Sequence, residues 1–193
     1  MIKTNKLLES YKDSLINKIS EINLDVVNDI IMEIKSASDT DRKIYIIGNG
    51  GSAATASHMV NDLGAGLRRR SLLNVNIASL SDNVPTITAI SNDVGYDDIF
   101  NLQLKGIIKT NDILIAISCS GTSRNIIKAV QYSKNRGAKI IGLTGFDGGQ
   151  LKEMSDISFH VPTSIGQYGI VEDIHMILDH MIYTYIIDEN NLN

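Results

Sequence analysis

Residues Lys43–Gly66 read KIYIIGNGGSAATASHMVNDLGAG, and the order of residue types in this stretch decides the fold. Ile44 to Ile47 is an apolar, largely β-branched run suited to a buried parallel strand. Gly48-Asn49-Gly50-Gly51-Ser52 interrupts it with residues that tolerate positive φ and expose backbone N–H groups. Ala53–Leu63 then has the composition of a helix. Strand, glycine loop and helix in that order form an anion site, because the loop amides and the helix N-terminus both aim positive ends at a ligand. His58 and Asp62 stand four residues apart on the same helix, so they share a face.

The rest of the composition bounds what this segment serves. A chain of 193 residues is long enough for one domain with a substantial core and short for two. Hydrophobic residues at 43% and charged residues at 21% are ordinary for a soluble globular protein. A net charge of -4 argues against nucleic-acid binding as the main activity. No apolar run approaches the ~20 residues of a membrane span, and the N-terminus lacks a signal-peptide core. The single cysteine, Cys119, rules out an internal disulfide and fits a reducing compartment. The expectation is a cytoplasmic α/β protein with no membrane or nucleic-acid partner.

Outward from the opening stretch, residues 4–38 read as two helices interrupted near Ser20–Asp25. Their apolar positions (Leu7, Leu8, Tyr11, Leu15, Ile19, Ile22, then Val26, Val27, Ile30, Ile31, Ile34) recur at steps of three and four. Gly64-Ala65-Gly66 reads as a helix C-cap. Further strands are expected at Asn74–Leu80, Asp112–Ile117, Lys139–Thr144 and Ile157–Val161. Further helices are expected at Asn83–Ser91, Ile99–Ile108, Asn125–Arg136 and Ile170–Ile187. Strands alternating with helices over the whole length predict a parallel sheet covered on both faces, in a single domain with helices over 1–38 and an α/β core over 39–193. Two strand–polar-loop–helix units, 44–63 and 113–136, resemble each other and should open into one crevice at the carboxyl ends of the strands.

The second unit carries Ser118, Ser120, Thr122 and Ser123 just ahead of a helix. Such hydroxyls bind phosphate together with helix-start amides, and they also serve as ordinary turn and cap residues. No Walker A or dinucleotide fingerprint is present, so a ligand the size of a phosphosugar is favoured over a nucleotide. His58 and Asp62 have three readings: metal ligands, an acid/base pair, or a solvent-facing hydrogen bond. The last helix adds Glu172, Asp173, His175, Asp179 and His180. Its phase places Glu172 and Asp179 nearly above each other and His175 among Val171, Leu178 and Ile182, which leaves open which histidine does chemistry. Two histidines and two carboxylates on facing helices would suit a divalent metal such as zinc.

GNGGSAATASH (48–58), SNDVGYDDIF (91–100), ISCSGTSRNIIKA (117–129), LTGFDGG (143–149) and VEDIHMILDH (171–180) run in order along nearly the whole chain. Through them the chain resembles the sugar isomerase (SIS) domain proteins, most closely the phosphoheptose isomerases. The resemblance implies a flavodoxin-like five-stranded parallel sheet flanked by helices, an N-terminal helical extension, and a homotetramer with active sites at subunit interfaces. It implies that Asn49, Gly50, Gly51, Ser52, Asn92, Asp93, Ser118, Cys119, Ser120 and Ser123 line the sugar phosphate. It also implies that His58, Asp62, Glu172 and His180 hold zinc. Asp62, Glu172 and His180 are the implied acid/base residues, with Asp62 and Glu172 also touching substrate, and an arginine of Arg68–Arg70 is implied to reach a neighbouring subunit's site. Four positions depart from the common pattern: Asp62 replaces Glu, Cys119 Thr, Glu172 Gln and Gly169 Asp. The implied activity is conversion of sedoheptulose 7-phosphate to D-glycero-D-manno-heptose 7-phosphate through an enediol. Isomerisation of another sugar phosphate, a non-catalytic SIS protein that binds a replication initiator or other protein, and a regulatory phosphosugar sensor are the alternatives. The histidine–carboxylate set favours an enzyme over the binding module, and the absence of a basic helix-turn-helix disfavours the sensor.

Overall fold

The computed structural model describes residues 3–191. Helices α1 (Lys3–Ser20) and α2 (Leu24–Asp39) precede the sheet, separated by a break at which Asn23 caps α2 by accepting from the Asp25 and Val26 amides. Strands β1 (Lys43–Gly48), β2 (Asn76–Ser79), β3 (Ile113–Ser118), β4 (Lys139–Phe146) and β5 (Ile157–Pro162) form one sheet in the order β2-β1-β3-β4-β5. Every pairing is parallel. This is the flavodoxin-like order, and it reverses between β1 and β3, where the strand ends open a crevice. The helices between and after the strands are α3 (Gly51–Met59), α4 (Val84–Asp93), α5 (Asn101–Leu104), α6 (Arg124–Asn135), α7 (Gly149–Met154) and α8 (Tyr168–Asn191).

Side chains alternate across the strands and feed two cores. On one face Ile44, Ile46, Ile113, Ile115, Ile117, Ile141 and Leu143 pack with α2, α3 and α8 through residues such as Ile30, Ile34, Met59, Leu63, Ile174 and Leu178. On the other, Tyr45, Ile47, Leu114, Ala116 and Ile140 meet Leu104, Ile126, Val130 and Leu151. The first core therefore clamps α3 and α8 onto the same side of the sheet, and this brings together the helices that carry His58 and His180. Among the described residues no helix is long and apolar enough to cross a membrane.

Two expectations are corrected, and two features are added that the sequence reading did not contain. Gly64-Ala65-Gly66 does not end a helix: α3 continues as a π-helical turn over Val60–Gly66. Its glycines permit close packing, since a Cβ on Gly64 would lie 2.8 Å from Ile77 Cγ2 and one on Gly66 3.0 Å from the Tyr183 hydroxyl. The expected helix over 99–108 shrinks to α5 behind a 3-10 turn at Tyr96–Asp98, because Lys105 is extended and Gly106 takes a φ of 82°. Ile99, Phe100, Leu104 and Ile108 are buried all the same, so their spacing reports burial through turns rather than one continuous helix. α7 went unread in the glycine-rich segment behind β4. Finally, the apolar stripe of α1 is mostly uncovered: Leu7 and Leu8 are each 65% exposed, with Tyr11, Ile16 and Ile19 also exposed.

Candidate active site

The glycine loop after β1 and the hydroxyl loop after β3 lie side by side at the point where strand order reverses. Two side-chain links tie them. Asn49 Nδ2 donates to Asn125 Oδ1 at 3.0 Å and Asn125 Nδ2 donates back to Asn49 Oδ1 at 2.9 Å, a reciprocal amide pair between the glycine loop and the first turn of α6. The Cys119 thiol shares a hydrogen bond with Ser52. Burial pushes that thiol up to about 11, the negative charge of Glu172 adds to the shift, and the Ser52 bond opposes it. Cys119 is thus a neutral packing group between the loops. Within the hydroxyl loop, Ser118 donates to Ser123 Oγ at 3.3 Å and Thr122 donates to Ser120 Oγ at 3.1 Å.

The structure brings Asn49, Gly50, Gly51, Ser52, Ser118, Cys119, Ser120 and Ser123 to this one edge. Asn92 and Asp93 end α4, exposed and bonded to each other at 2.8 Å. From the following turn it is Tyr96 that reaches the glycine loop, donating its hydroxyl to Asn49 Oδ1 at 2.8 Å. Glu172, on the first turns of α8, presses its carboxylate onto Gly51, where a methyl group would fall 2.4 Å from Glu172 Cδ.

Beside the loops, the α3 segment and α8 bring four potential ligand groups together. His58, Asp62, Asp179 and His180 offer ligand atoms that all lie within 4.8 Å of one another. His58 Nε2 is central: it lies 3.1 Å from His180 Nε2, 3.4 Å from Asp62 Oδ2 and 3.8 Å from Asp179 Oδ2. Donor atoms at about 2.0–2.2 Å from one tetrahedral ion sit about 3.3–3.6 Å apart, so these spacings straddle those of a metal centre. Asp179 is fully buried and neither of its carboxylate oxygens has a hydrogen-bond partner. Burial, reinforced by the charge of Asp62, pushes its carboxyl up to about 7. An imidazole and carboxylate set with an unsatisfied buried oxygen pair fits a divalent cation of the zinc type. Glu172 does not join this group, because its carboxylate is turned onto Gly51.

His175 plays another part. It is buried, its Nε2 lies 3.3 Å from the Thr144 carbonyl oxygen, and burial pulls it down to about 4 against the pull of that backbone bond. The arginine triplet is divided: Arg68 donates to Asn74 Oδ1 and the Val75 carbonyl, Arg70 stacks over Tyr183 at 5.4 Å, and Arg69 is exposed. Sequence reasoning passed over Asn125 and Tyr96, although both lie inside quoted motifs. The available signal was an amide at the first turn of a helix that follows a strand. It named Asp179 without giving it a part.

A SIS domain model matches residues 10–145. A phosphoheptose isomerase of a Nitratiruptor species is 37% identical over 80% of this chain and 80% of its own. The chain belongs to the phosphoheptose isomerase family of SIS-domain proteins. The solved structure of a phosphoheptose isomerase from Neisseria gonorrhoeae superposes on 96% of this chain and 98% of its own, with a TM-score of 0.84 at 27% identity. That of a phosphoheptose isomerase from Francisella tularensis covers 97% of both chains, with a TM-score of 0.82 at 29% identity. The likeness extends through α1 and α8, beyond the segment matched by the domain model.

Proposed function

We propose that this chain isomerises sedoheptulose 7-phosphate to D-glycero-D-manno-heptose 7-phosphate. The observation that carries the reading is the meeting of two anion-type loops with Glu172 at their lip and the His58–Asp62–His180 group alongside. The loop amides and the hydroxyls of Ser52, Ser118, Ser120 and Ser123 hold the phosphate at one end, which fixes the reacting carbons at the other. A carboxylate of Glu172 or Asp62 takes a proton from C1 of the ketose and returns one to C2. His180 delivers a proton to the C2 carbonyl oxygen while the C1 hydroxyl gives one up, so the path runs through an enediol. His58, Asp62 and His180 would hold a zinc ion, which when bound polarises the sugar carbonyl.

Turnover of sedoheptulose 7-phosphate, followed as aldose formation, tests the reading. His180→Ala, Asp62→Asn and Glu172→Ala should each lower the rate about 10²–10⁴-fold. Near wild-type turnover in all three would remove these residues from the reaction. The exposed apolar face of α1 supports self-association into the homotetramer, with an arginine such as Arg69 supplied to a neighbouring site. Light scattering on the purified chain reads the oligomeric state directly.

A further inference from the structure

We propose that Tyr96 is a positioning residue of the substrate site, whose hydroxyl sets the Asn49 amide so that one Asn49 N–H is presented to the phosphate end of the ligand. This rests on the reading of the glycine loop as an anion cradle. A chain of directed hydrogen bonds carries it, and the direction is fixed at its buried end. Asn125 is 2% exposed, and its Oδ1 accepts from the backbone amide of Ile126 at 2.9 Å. A backbone N–H only donates, so the oxygen and nitrogen of the Asn125 amide cannot be exchanged. Asn125 Nδ2 must then donate, and it does so to Asn49 Oδ1 at 2.9 Å, while Asn49 Nδ2 donates back at 3.0 Å. The Tyr96 hydroxyl meets that same Asn49 oxygen at 2.8 Å and acts there as donor, because an amide oxygen only accepts. Both lone pairs of Asn49 Oδ1 are thereby filled, and one of its N–H groups is spent on Asn125. The other has no protein partner among the described residues.

The hydroxyl is itself held from outside the loop. Tyr96 begins the 3-10 turn Tyr96–Asp98, and that turn is fastened to α6 at two points: Asp97 pairs with Arg124 at 3.2 Å and Asp98 with Lys128 at 2.7 Å. Asn125 lies between those two cations on the same helix. The turn and α6 thus form one frame that grips Asn49 with two donors. Asn49 needs that grip, since it stands between Gly48 and Gly50, where the backbone restrains the side chain least. Donation into the oxygen of an amide also strengthens its N–H as a donor, so Tyr96 acts on the ligand through Asn49 without touching it. The group served is an anion, because the loop amides and the start of α3 already aim positive ends at the same place.

The test compares wild type, Tyr96→Phe, Asn49→Ala and the double variant, each as the full chain. Kinetics on sedoheptulose 7-phosphate are paired with calorimetric titration of inorganic phosphate. Tyr96→Phe should raise KM and the phosphate Kd together by about 3–10-fold, the range for one neutral hydrogen bond, with kcat within about twofold of wild type. Asn49→Ala should raise both by about 10–100-fold, the loss of a donor to a charged group. Adding Tyr96→Phe to Asn49→Ala should change nothing further, because the hydroxyl then has nothing to orient. The Tyr96 ring is 52% exposed, so the melting temperature of Tyr96→Phe should match wild type; a merely structural role would move the melt and leave KM alone. Unchanged KM and Kd in Tyr96→Phe overturn the inference, as does a fall in kcat at unchanged KM, and in either case wild-type turnover leaves the proposed reaction standing. An undiminished effect in the Asn49→Ala background also overturns it, because the hydroxyl then meets the ligand itself. A chain that binds phosphate through Tyr96 yet turns over no sedoheptulose 7-phosphate keeps the inference and ends the proposed reaction. Absence of both turnover and phosphate binding in wild type overturns both.

Discussion

The glycine loop after β1 and the hydroxyl loop after β3 occupy equivalent places in the sheet, yet Gly51 in the first and Gly121 in the second are confined by different neighbours. A Cβ on Gly51 would meet the tip of a long side chain, the Glu172 carboxylate, at 2.4 Å. A Cβ on Gly121, which has a φ of 63°, would meet main chain, the Gly148 carbonyl oxygen, at 1.9 Å. The Gly121 carbonyl also accepts from the Leu151 amide at 2.9 Å, so the hydroxyl loop is locked to the start of α7. Gly121 is therefore confined by backbone and Gly51 by a group that can move, although Gly48 at the start of the glycine loop also faces main chain, the Ser52 carbonyl. The same sequence signal thus marks a glycine set against main chain in one place and against a carboxylate in the other.

The largest effect expected from breaking this contrast is at Gly121. Gly121→Ala should destabilise the fold by about 3–5 kcal/mol, combining left-handed strain with an overlap that only backbone movement relieves; urea denaturation measures it. The same change in the glycine loop should read out elsewhere. Gly51→Ala displaces a flexible carboxylate, so stability should barely change while turnover falls about 10²-fold, the cost of misplacing a reacting group by about 1 Å. Equal stability losses in the two variants would erase the distinction between the loops.

His175 sharpens the comparison from behind the hydroxyl loop, where it contacts the Thr144 carbonyl next to Gly145, whose amide donates to the Cys119 carbonyl. Folded His175 is pulled down to about 4 from an ordinary value of 6.5. Between those values the unfolded chain binds the extra proton, so stability is complete above about pH 6.5 and falls as the pH drops toward 4. That shift amounts to about 3 kcal/mol. Denaturation midpoints across this range should show the acid limb in wild type and a flatter one in His175→Leu. The smallest effects concern the links between and within the loops. Asn125→Ala removes both arms of the amide pair and should cost about 1–3 kcal/mol with a raised KM. Ser123→Ala loses one partly exposed hydroxyl contact and should cost about 1 kcal/mol or less.

Much of the architecture was legible because buried parallel strands are nearly continuous apolar runs. Ile44–Ile47 and Asp112–Ile117 fall within a residue of β1 and β3 for that reason. The ends of helices were less legible. A helix over 99–108 and turns over the same residues bury the same apolar side chains, and only the conformation at Lys105 and Gly106 separates them. The stripe on α1 matched that on α2 in spacing, but α2 buries Val27, Ile30, Ile31 and Ile34 while α1 leaves Leu7 and Leu8 in the open. Amphipathic spacing marks a face that wants a partner and does not say whether that partner lies within the same chain.

Periodicity and residue type by themselves determined the parallel α/β class, the placement of a glycine loop and a hydroxyl loop after two strands, and the helix pair His58 and Asp62, because each is written within a few neighbouring residues. Which groups of α8 join that pair was settled only in the tertiary structure. The contact between His58 and His180 spans 122 residues, and helical phase ranks faces without locating the helix opposite. Packing α3 and α8 on one face of the sheet turned Asp179 inward beside His58 and laid Glu172 on Gly51. Two carboxylates that share a face in sequence are thereby assigned to different places, because each faces a different part of α3.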